Sequence, residues 1–104
     1  MIFSQEHIDM ILEGTKSQTR RKSNKYEIGK SYSIQPGRGK PGIVGARIKI
    51  TKKRREKLGD ISLSDVHKEG YDSIDDFIKV VRRINGEWNP KQEMYVFDFE
   101  TVKS

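Results

Sequence analysis

Apolar residues are concentrated in a few short segments of this chain, and their spacing predicts which segments are helical. In the first segment they recur at the i, i+3 and i+4 spacing of one helix face, as Ile8, Ile11 and Leu12. Ser4 precedes this face as a suitable N-cap, and Gly14 follows it, where a left-handed glycine commonly ends a helix. These signals predict a short amphipathic helix over residues 5–13.

Two further helix starts are predicted in the second half of the chain. Ser62 is followed three residues later by Asp65, and Ser73 by Asp76, which is the spacing of a capping box with Asp in place of Glu. The second of these helices places four apolar residues on one face: Ile74, Phe77, Ile78 and Val81. Gly70 is expected to close the turn after the first helix, and Asn85-Gly86 to end the second.

Period-two patterns predict two strands. From residue 43 to 51 polar residues alternate with the apolar set Val44, Ala46, Ile48 and Ile50. Arg47 and Lys49 are then expected to point outward, and the basic run at residues 52–55 to extend that face. Residues 94–99 are rich in β-formers on both alternating faces, which predicts a strand buried on both sides. Between Tyr32 and the first strand, residues 36–42 are predicted to form a flexible basic loop rich in Gly and Pro.

Mixed short helices and strands indicate an α+β domain with a curved sheet or a small barrel, and the order of elements alone leaves both open. With 104 residues, 33% of them hydrophobic and 35% charged, a single domain spanning residues 1–104 with a small core is expected. No apolar run approaches the roughly 18 residues that a membrane span needs. The start of the chain lacks the pattern of a secretory signal, and there is no cysteine, so a cytoplasmic location without membrane association is expected.

The positive charge is concentrated in one stretch. Residues 16–57 carry 15 basic and 2 acidic groups, whereas the flanking segments have net charges of −3 and −4, giving the overall +6. This asymmetry favours a polyanion or a phosphate-bearing ligand over a surface that is basic only for solubility. Two histidines, His7 and His67, no cysteine and no recognisable metal motif exclude the common metal centres, and no nucleotide-cofactor fingerprint is present, so neither a metal nor a cofactor is expected.

One constellation has chemical potential: Lys16, Thr19 and Arg21, preceded by Gly14. In an extended segment residues 19 and 21 share a face and residue 16 lies on the other, so a turn after Gly14 is needed to bring Lys16 to Thr19. A hydroxyl beside a lysine of lowered pKa could be a nucleophile beside its base, with a carboxylate such as Glu69 orienting them. The same groups could instead hold a phosphate, a base edge or each other.

The sequence also resembles the ASCH domains of the PUA-like superfamily over nearly its whole length. The matching motifs are Ile11-Leu12-x-Gly14-x-Lys16-x-x-Thr19-x-Arg21, Leu58-x-Asp60-Ile61-Ser62, Glu69-Gly70-Tyr71 with Ser73 and Phe77, Asn85-Gly86-x-Trp88, and Tyr95-Val96-Phe97-x-Phe99. The resemblance implies a small mixed β-barrel with short flanking helices. It also implies a cleft between the Gly14–Arg21 segment and the helix that carries Glu69, with RNA or modified nucleotides as ligands. Some small ASCH proteins are similar to amidohydrolases of N4-acetylcytidine, and their Lys, Thr and Glu fall on Lys16, Thr19 and Glu69.

The sequence therefore predicts a monomeric RNA- or nucleotide-binding domain. The predicted cleft comprises Lys16, Thr19, Arg21 and Glu69, and the adjoining phosphate-binding surface comprises Arg38, Arg47, Lys49, Lys52, Lys53, Arg54 and Arg55. The alternative is an amidohydrolase acting on acylated cytidine through Lys16, Thr19 and Glu69, and whether the protein is an enzyme stays open.

Simpler structural roles are also weighed for several of these residues. Lys16 and Glu69 could form a partly buried ion pair, and Arg21 could brace Glu69 or a helix end. Five further side chains are assigned to structure rather than ligand contact. His7 and His67 are interpreted as exposed helix residues, and Tyr26, Tyr32 and Trp88 as packing residues.

Overall fold

The structure is a computed structural model that describes residues 1–103. Along the chain it contains helix α1, strands β1 to β3, a 3₁₀ turn, helices α2 and α3, and strand β4. Their bounds are Gln5–Glu13 for α1, Gln18–Arg21 for β1, Ser31–Ser33 for β2, Ala46–Lys57 for β3, Leu58–Asp60 for the 3₁₀ turn, Leu63–Lys68 for α2, Ile74–Asn85 for α3 and Glu93–Lys103 for β4. No helix within these residues is both long enough and apolar enough to span a bilayer.

Local capping determines where the helices begin and end, as predicted. The Ser4 hydroxyl accepts a hydrogen bond from the His7 amide at 3.3 Å, and Gly14 ends α1 with a left-handed φ of 83°. The hydroxyls of Ser62 and Ser73 each accept the amide three residues on at 3.1 Å. The helix starts predicted from these serines are therefore confirmed.

The four strands form one antiparallel sheet in the order β1-β4-β3-β2. β4 lies between β1 and β3, and its first half is buried on both faces, since the neighbouring residues Val96 and Phe97 point to opposite faces and both are fully inaccessible. The α+β class is confirmed. Closure into the predicted barrel is not seen, because within residues 1–103 the edge strands β1 and β2 share no hydrogen-bonded ladder.

Strand β3 differs from the predicted residues 43–51 at both ends. It begins three residues later, which leaves Val44 fully exposed rather than inward, and it runs six residues further through the basic run. The 11-residue β4 supplies backbone partners along this whole length, with a register shift between Ile50 and Lys52. Hydrogen bonding to the β4 backbone therefore extends β3 through residues 52–57, whose side-chain pattern does not predict a strand.

Two apolar clusters flank β4. Phe97 and Phe99 contribute to the first, with α1 and the Ile48 and Ile50 side chains of β3, whereas Met94 lies in the second, against α2 and α3. The predicted packing roles of three aromatic residues are confirmed. Trp88 packs edge-on against Phe77, and Tyr26 packs edge-on against Tyr32 and Phe97.

Candidate functional site

The turn after α1 directs Lys16 into the protein. Once Gly14 has ended the helix, the amides of Thr15 and Lys16 both donate to the Met10 carbonyl, at 2.9 and 3.2 Å. Gly70 lies against this turn, since a Cβ there would come within 2.6 Å of the Met10 sulfur. The two turns therefore pack together, and Lys16 is left only 3% exposed.

Lys16 is paired with Glu69, the C-terminal cap of α2. Its Nζ lies 3.0 Å from Glu69 Oε1 and donates to the Glu69 carbonyl at 3.2 Å. Burial lowers the pKa of Lys16 from its ordinary value, and the neighbouring Glu69 carboxylate opposes part of that shift. Lys16 and Glu69 thus form the ion pair that was one of the roles predicted for them.

Arg20 is the second partner of Glu69, and it is not among the residues predicted for the site. Its guanidinium lies 2.8 Å from Glu69 Oε2 and 2.7 Å from Glu56 Oε1, and it also donates to the Gln18 side chain at 2.6 Å. The Arg20 side chain is only 3% exposed. Gln18 and Arg20 share a face of β1 by alternation, and this signal, together with buried carboxylates on the facing elements, could have identified it.

Thr19 and Arg21 occupy the opposite face of β1, as predicted. The Thr19 hydroxyl is buried and accepts from Arg21 Nε at 3.2 Å. The Arg21 guanidinium also donates to the Ile2 carbonyl at 2.7 Å and lies 4.7 Å from the centre of the Phe3 ring. Arg21 therefore braces the N-terminal segment rather than Glu69, and the suggested Arg21 contact with Glu69 is made by Arg20.

One cavity of about 680 Å³ lies beside the edge strand β1, and the Arg20 side chain borders it. The four residues predicted for the cleft all line it: Lys16, Thr19, Arg21 and Glu69. Helix α3 contributes an apolar wall of Val80, Val81 and Ile84. The cavity volume lies within the range of about 300 to 1,000 Å³ that is usual for small-molecule sites.

His7 and Tyr71 form a further polar pair in the cavity wall. The His7 ring is hydrogen-bonded to the Tyr71 hydroxyl, and burial lowers the pKa of His7 to about 4 and raises that of Tyr71 to about 12. The prediction that His7 is exposed is wrong, because α1 turns its ring towards the Glu69-Gly70-Tyr71 segment. The same prediction is right for His67, which is exposed on α2.

The seven residues predicted as a phosphate-binding surface have different surroundings. Arg54 lies 2.5 Å from Asp65, and Arg55 is paired with Glu93, so both are already bound to carboxylates. Lys53 is half-buried and donates to the carbonyls of Tyr26 and Asn24, at 3.2 and 3.3 Å. The other four residues of this set are Arg47, Lys49 and Lys52 on β3 and Arg38 in the loop that precedes it.

Arg38, Lys49 and Lys52 are exposed, and none of them lines the cavity. Arg47 is half-buried and donates to the Ser31 carbonyl at 3.1 Å. The predicted surface is therefore a spatially extended set along β3 and its preceding loop, part of it neutralised by acidic residues. Among residues 1–103 no group of three His, Asp, Glu or Cys side chains is arranged to hold a metal ion.

Comparisons with known proteins define the class of fold. The sequence matches no protein-family model and no curated protein sequence. Its structure is similar to an ASCH domain from Lactobacillus crispatus JV V101, with a TM-score of 0.69 and 17% identity over 95% of this chain and 72% of that one.

Two other solved structures are similar in the same way. The protein EF3133 from Enterococcus faecalis V583, of the family DUF984, gives a TM-score of 0.66 and 19% identity over 91% of this chain and 66% of that one. The hypothetical protein PH0355 gives 0.71 and 19% over 98% and 96%. This chain therefore has the fold of an ASCH domain, which confirms at the level of the fold the resemblance seen in the sequence.

Proposed function

We propose that the protein, as a monomer, binds RNA or a nucleotide in the cavity beside β1. The observation that supports this best is that one cavity combines buried hydrogen-bonding groups, an apolar wall and unpaired cations. The buried Lys16, Thr19 and Glu69 side chains offer donors and acceptors to a base edge, and the apolar wall of α3 can pack on its ring. This combination of polar and apolar contacts suits an unstacked base.

The cations of the cavity favour a ligand that carries phosphate. Arg21, Lys22 and Lys25 line it, and the last two are exposed where a ligand enters. No carboxylate in the described part of the chain lies within 4 Å of these three cations. None of the three is therefore held in an ion pair, and their positive charge would attract a phosphate group.

The proposed RNA surface continues from the cavity onto β3 and its preceding loop. The members available for phosphate are Arg38, Arg47, Lys49, Lys52 and Lys53. Arg54 and Arg55 already hold carboxylates, so we assign them a smaller contribution than the sequence alone indicated.

The test is binding of a labelled mixed-sequence oligoribonucleotide, followed by fluorescence anisotropy from low to moderate salt. The proposal expects log affinity to fall with log salt at a slope of about −0.7 for each phosphate contact on a single strand. Arg21→Gln is expected to weaken binding, whereas Lys91→Gln, which removes the same charge from an exposed position outside the cavity, is not. Absence of binding at low salt would refute the proposal.

The second candidate function is hydrolysis of an acylated cytidine. It is favoured by one observation, which is that the buried Lys16 with its lowered pKa lines the same cavity as the Thr19 hydroxyl. Neutral Lys16 would take the proton of Thr19 as its oxygen attacks the amide carbonyl. Collapse would release the amine with that proton and leave an acyl ester on Thr19, and water would then hydrolyse the ester to the carboxylic acid.

Two features of the site bear on this candidate. Lys16 Nζ hydrogen-bonds only to Glu69 among the described residues, so Thr19 would have to rotate away from Arg21 to reach it.

Incubation with N4-acetylcytidine tests the reaction directly. Thr19→Val should abolish deacylation, and the exposed Thr101→Val should not; no deacylation by the parent protein would remove this candidate.

A further inference from the structure

A second cavity of about 310 Å³ adjoins the first. It lies between the N-terminal segment, β2 and β3, and its polar wall is formed by Ser33, Gln35 and Arg47. Three residues, Ile2, Lys25 and Tyr26, line both cavities. The two cavities are therefore adjacent, with these three side chains between them.

The cations of the second cavity are available to an anion. No carboxylate among residues 1–103 lies within 4 Å of Lys25 or Arg47. Arg47 uses one terminal nitrogen for the Ser31 carbonyl at 3.1 Å, which leaves other N–H groups of its guanidinium for a ligand. Arg54 and Arg55, further along the same strand, are bound to carboxylates instead.

The aromatic residues of the second cavity do not offer a stacking platform. Tyr26 is 9% exposed, and its ring packs edge-on against Tyr32 at 5.0 Å and Phe97 at 5.5 Å. The Tyr32 hydroxyl accepts from the Glu27 amide at 2.9 Å. Both rings are therefore held by the protein. The Gln35 side chain is also engaged, since its amide nitrogen donates to the Lys40 carbonyl at 3.1 Å and its oxygen accepts from the Met1 amino group at 3.3 Å. The Ser33 hydroxyl and the guanidinium of Arg47 suit a phosphate and its sugar rather than a base.

We infer that the second cavity is a subsite for the phosphate and ribose joined to the nucleotide in the first cavity. This inference rests on the proposed function and specifies its ligand, which is a single-stranded RNA segment of at least two linked nucleotides and not a free nucleoside. Lys25, common to both cavities, contacts the linking phosphodiester, and Arg47 contacts the next phosphate. Electrostatic attraction at both positions makes binding stronger for a chain than for a single nucleotide.

The experiment compares two probes on the same protein at about 50 mM salt, where phosphate contacts are weakly screened. One probe is a labelled mixed-sequence hexaribonucleotide, and the other is an equimolar set of the four nucleoside 5′-monophosphates used as competitors. The parent protein is expected to bind the hexanucleotide at least about tenfold more tightly than the monophosphates, about 1.4 kcal/mol at 25 °C. Binding that is no tighter for the hexanucleotide overturns the second subsite.

The variant Arg47→Gln tests whether the tighter binding of the hexanucleotide arises in the second cavity. It is expected to weaken hexanucleotide binding by at least about fivefold, to leave monophosphate competition within about twofold, and to reduce the magnitude of the salt slope by about 0.7. Lys91→Gln, an exposed change of equal charge outside both cavities, should alter neither probe. Arg47→Lys keeps the charge and should retain most of the affinity, which separates a phosphate contact from a packing role.

The outcomes distinguish the two proposals. If Arg47→Gln weakens both probes equally, or behaves as Lys91→Gln does towards the hexanucleotide, the second subsite is wrong and the first cavity stands. If the parent protein binds neither probe, the proposed function fails and the second subsite fails with it.

Discussion

We expect the charge of Glu69 to contribute strongly to the free energy of unfolding. The change is Glu69→Gln, which keeps the shape of the side chain and removes its charge. In the folded protein this carboxylate lies between two buried cations, with Lys16 Nζ at 3.0 Å and an Arg20 nitrogen at 2.8 Å. The Lys16 and Arg20 side chains are 2% and 3% exposed, so water cannot replace the lost carboxylate.

The expected magnitude follows from the remaining partners of each cation. Breaking a buried ion pair by removing one partner costs about 3 to 5 kcal/mol. Arg20 retains Glu56 at 2.7 Å, and Lys16 retains the Glu69 carbonyl at 3.2 Å, which places the expected loss near the lower end of this range, about 3 kcal/mol. Such a loss is large beside the total of about 5 to 15 kcal/mol typical of a domain.

Urea unfolding at neutral pH measures this loss. With a slope of about 1 to 3 kcal/mol per M, a loss of about 3 kcal/mol lowers the unfolding midpoint by at least about 1 M. The matched control is Glu93→Gln, which breaks the Arg55 pair whose side chains are 60% and 50% exposed. An exposed pair of this kind contributes only about 0 to 1 kcal/mol.

The pH dependence gives an independent readout. Without Glu69, the pKa of the buried Lys16 falls further below its ordinary value of 10.5, because the carboxylate was raising it. Between that lowered pKa and 10.5 the unfolded chain binds one more proton than the folded one, so stability rises with pH. The deficit of Glu69→Gln should therefore shrink as the pH is raised. A loss equal to that of Glu93→Gln at every pH would refute the reasoning.

Three further predictions concern single positions. Burial lowers the pKa of His7 to about 4 from its ordinary value of 6.5, so its contribution to stability is complete above pH 6.5 and is lost as the pH falls towards 4. Stability measured by urea unfolding should therefore depend less on pH between 6.5 and 4 in His7→Gln than in the parent protein, and an equal dependence would contradict the burial of this ring. Gly70→Ala, at φ 102° with a sulfur 2.6 Å from the new Cβ, should cost clearly more in urea unfolding than Gly14→Ala, at φ 83° with no atom within 4 Å; equal losses would contradict the close packing of the two turns. Ser62→Ala removes the cap of α2 and should cost about 1 kcal/mol in the same assay, whereas no loss would show that the cap contributes nothing.

Local signals in the sequence were sufficient for the helices. Ser4, Ser62 and Ser73 cap the three helices at the predicted positions, and Gly14 and Gly86 end α1 and α3 with left-handed φ values of 83° and 81°. A capping hydrogen bond spans only three residues, so the sequence around it contains everything that determines it. The α+β class and the buried β4 were predictable for the same reason, since the alternation of side chains is a local property.

Tertiary structure decided which charged groups meet. Arg20 and Arg21 are adjacent and chemically identical, yet only Arg20 reaches Glu69, because the pairing of β1 with β4 fixes which face each side chain occupies. The burial of His7 against Tyr71 depends on contact between residues 64 positions apart. These outcomes depend on strand register and on long-range packing, which periodicity along the chain does not contain.

The positive charge of residues 16–57 likewise depends partly on the sequence and partly on the tertiary structure. Its excess of Lys and Arg is a property of the sequence, but the neutralisation of Arg54 by Asp65 and of Arg55 by Glu93 arises only when distant segments fold together. The sequence by itself determined the helices and the class of fold, and the four residues predicted for a cleft all line the cavity beside β1. The fold determined which cations near that cleft remain unpaired, because an ion pair requires two charges to be brought within about 4 Å of each other.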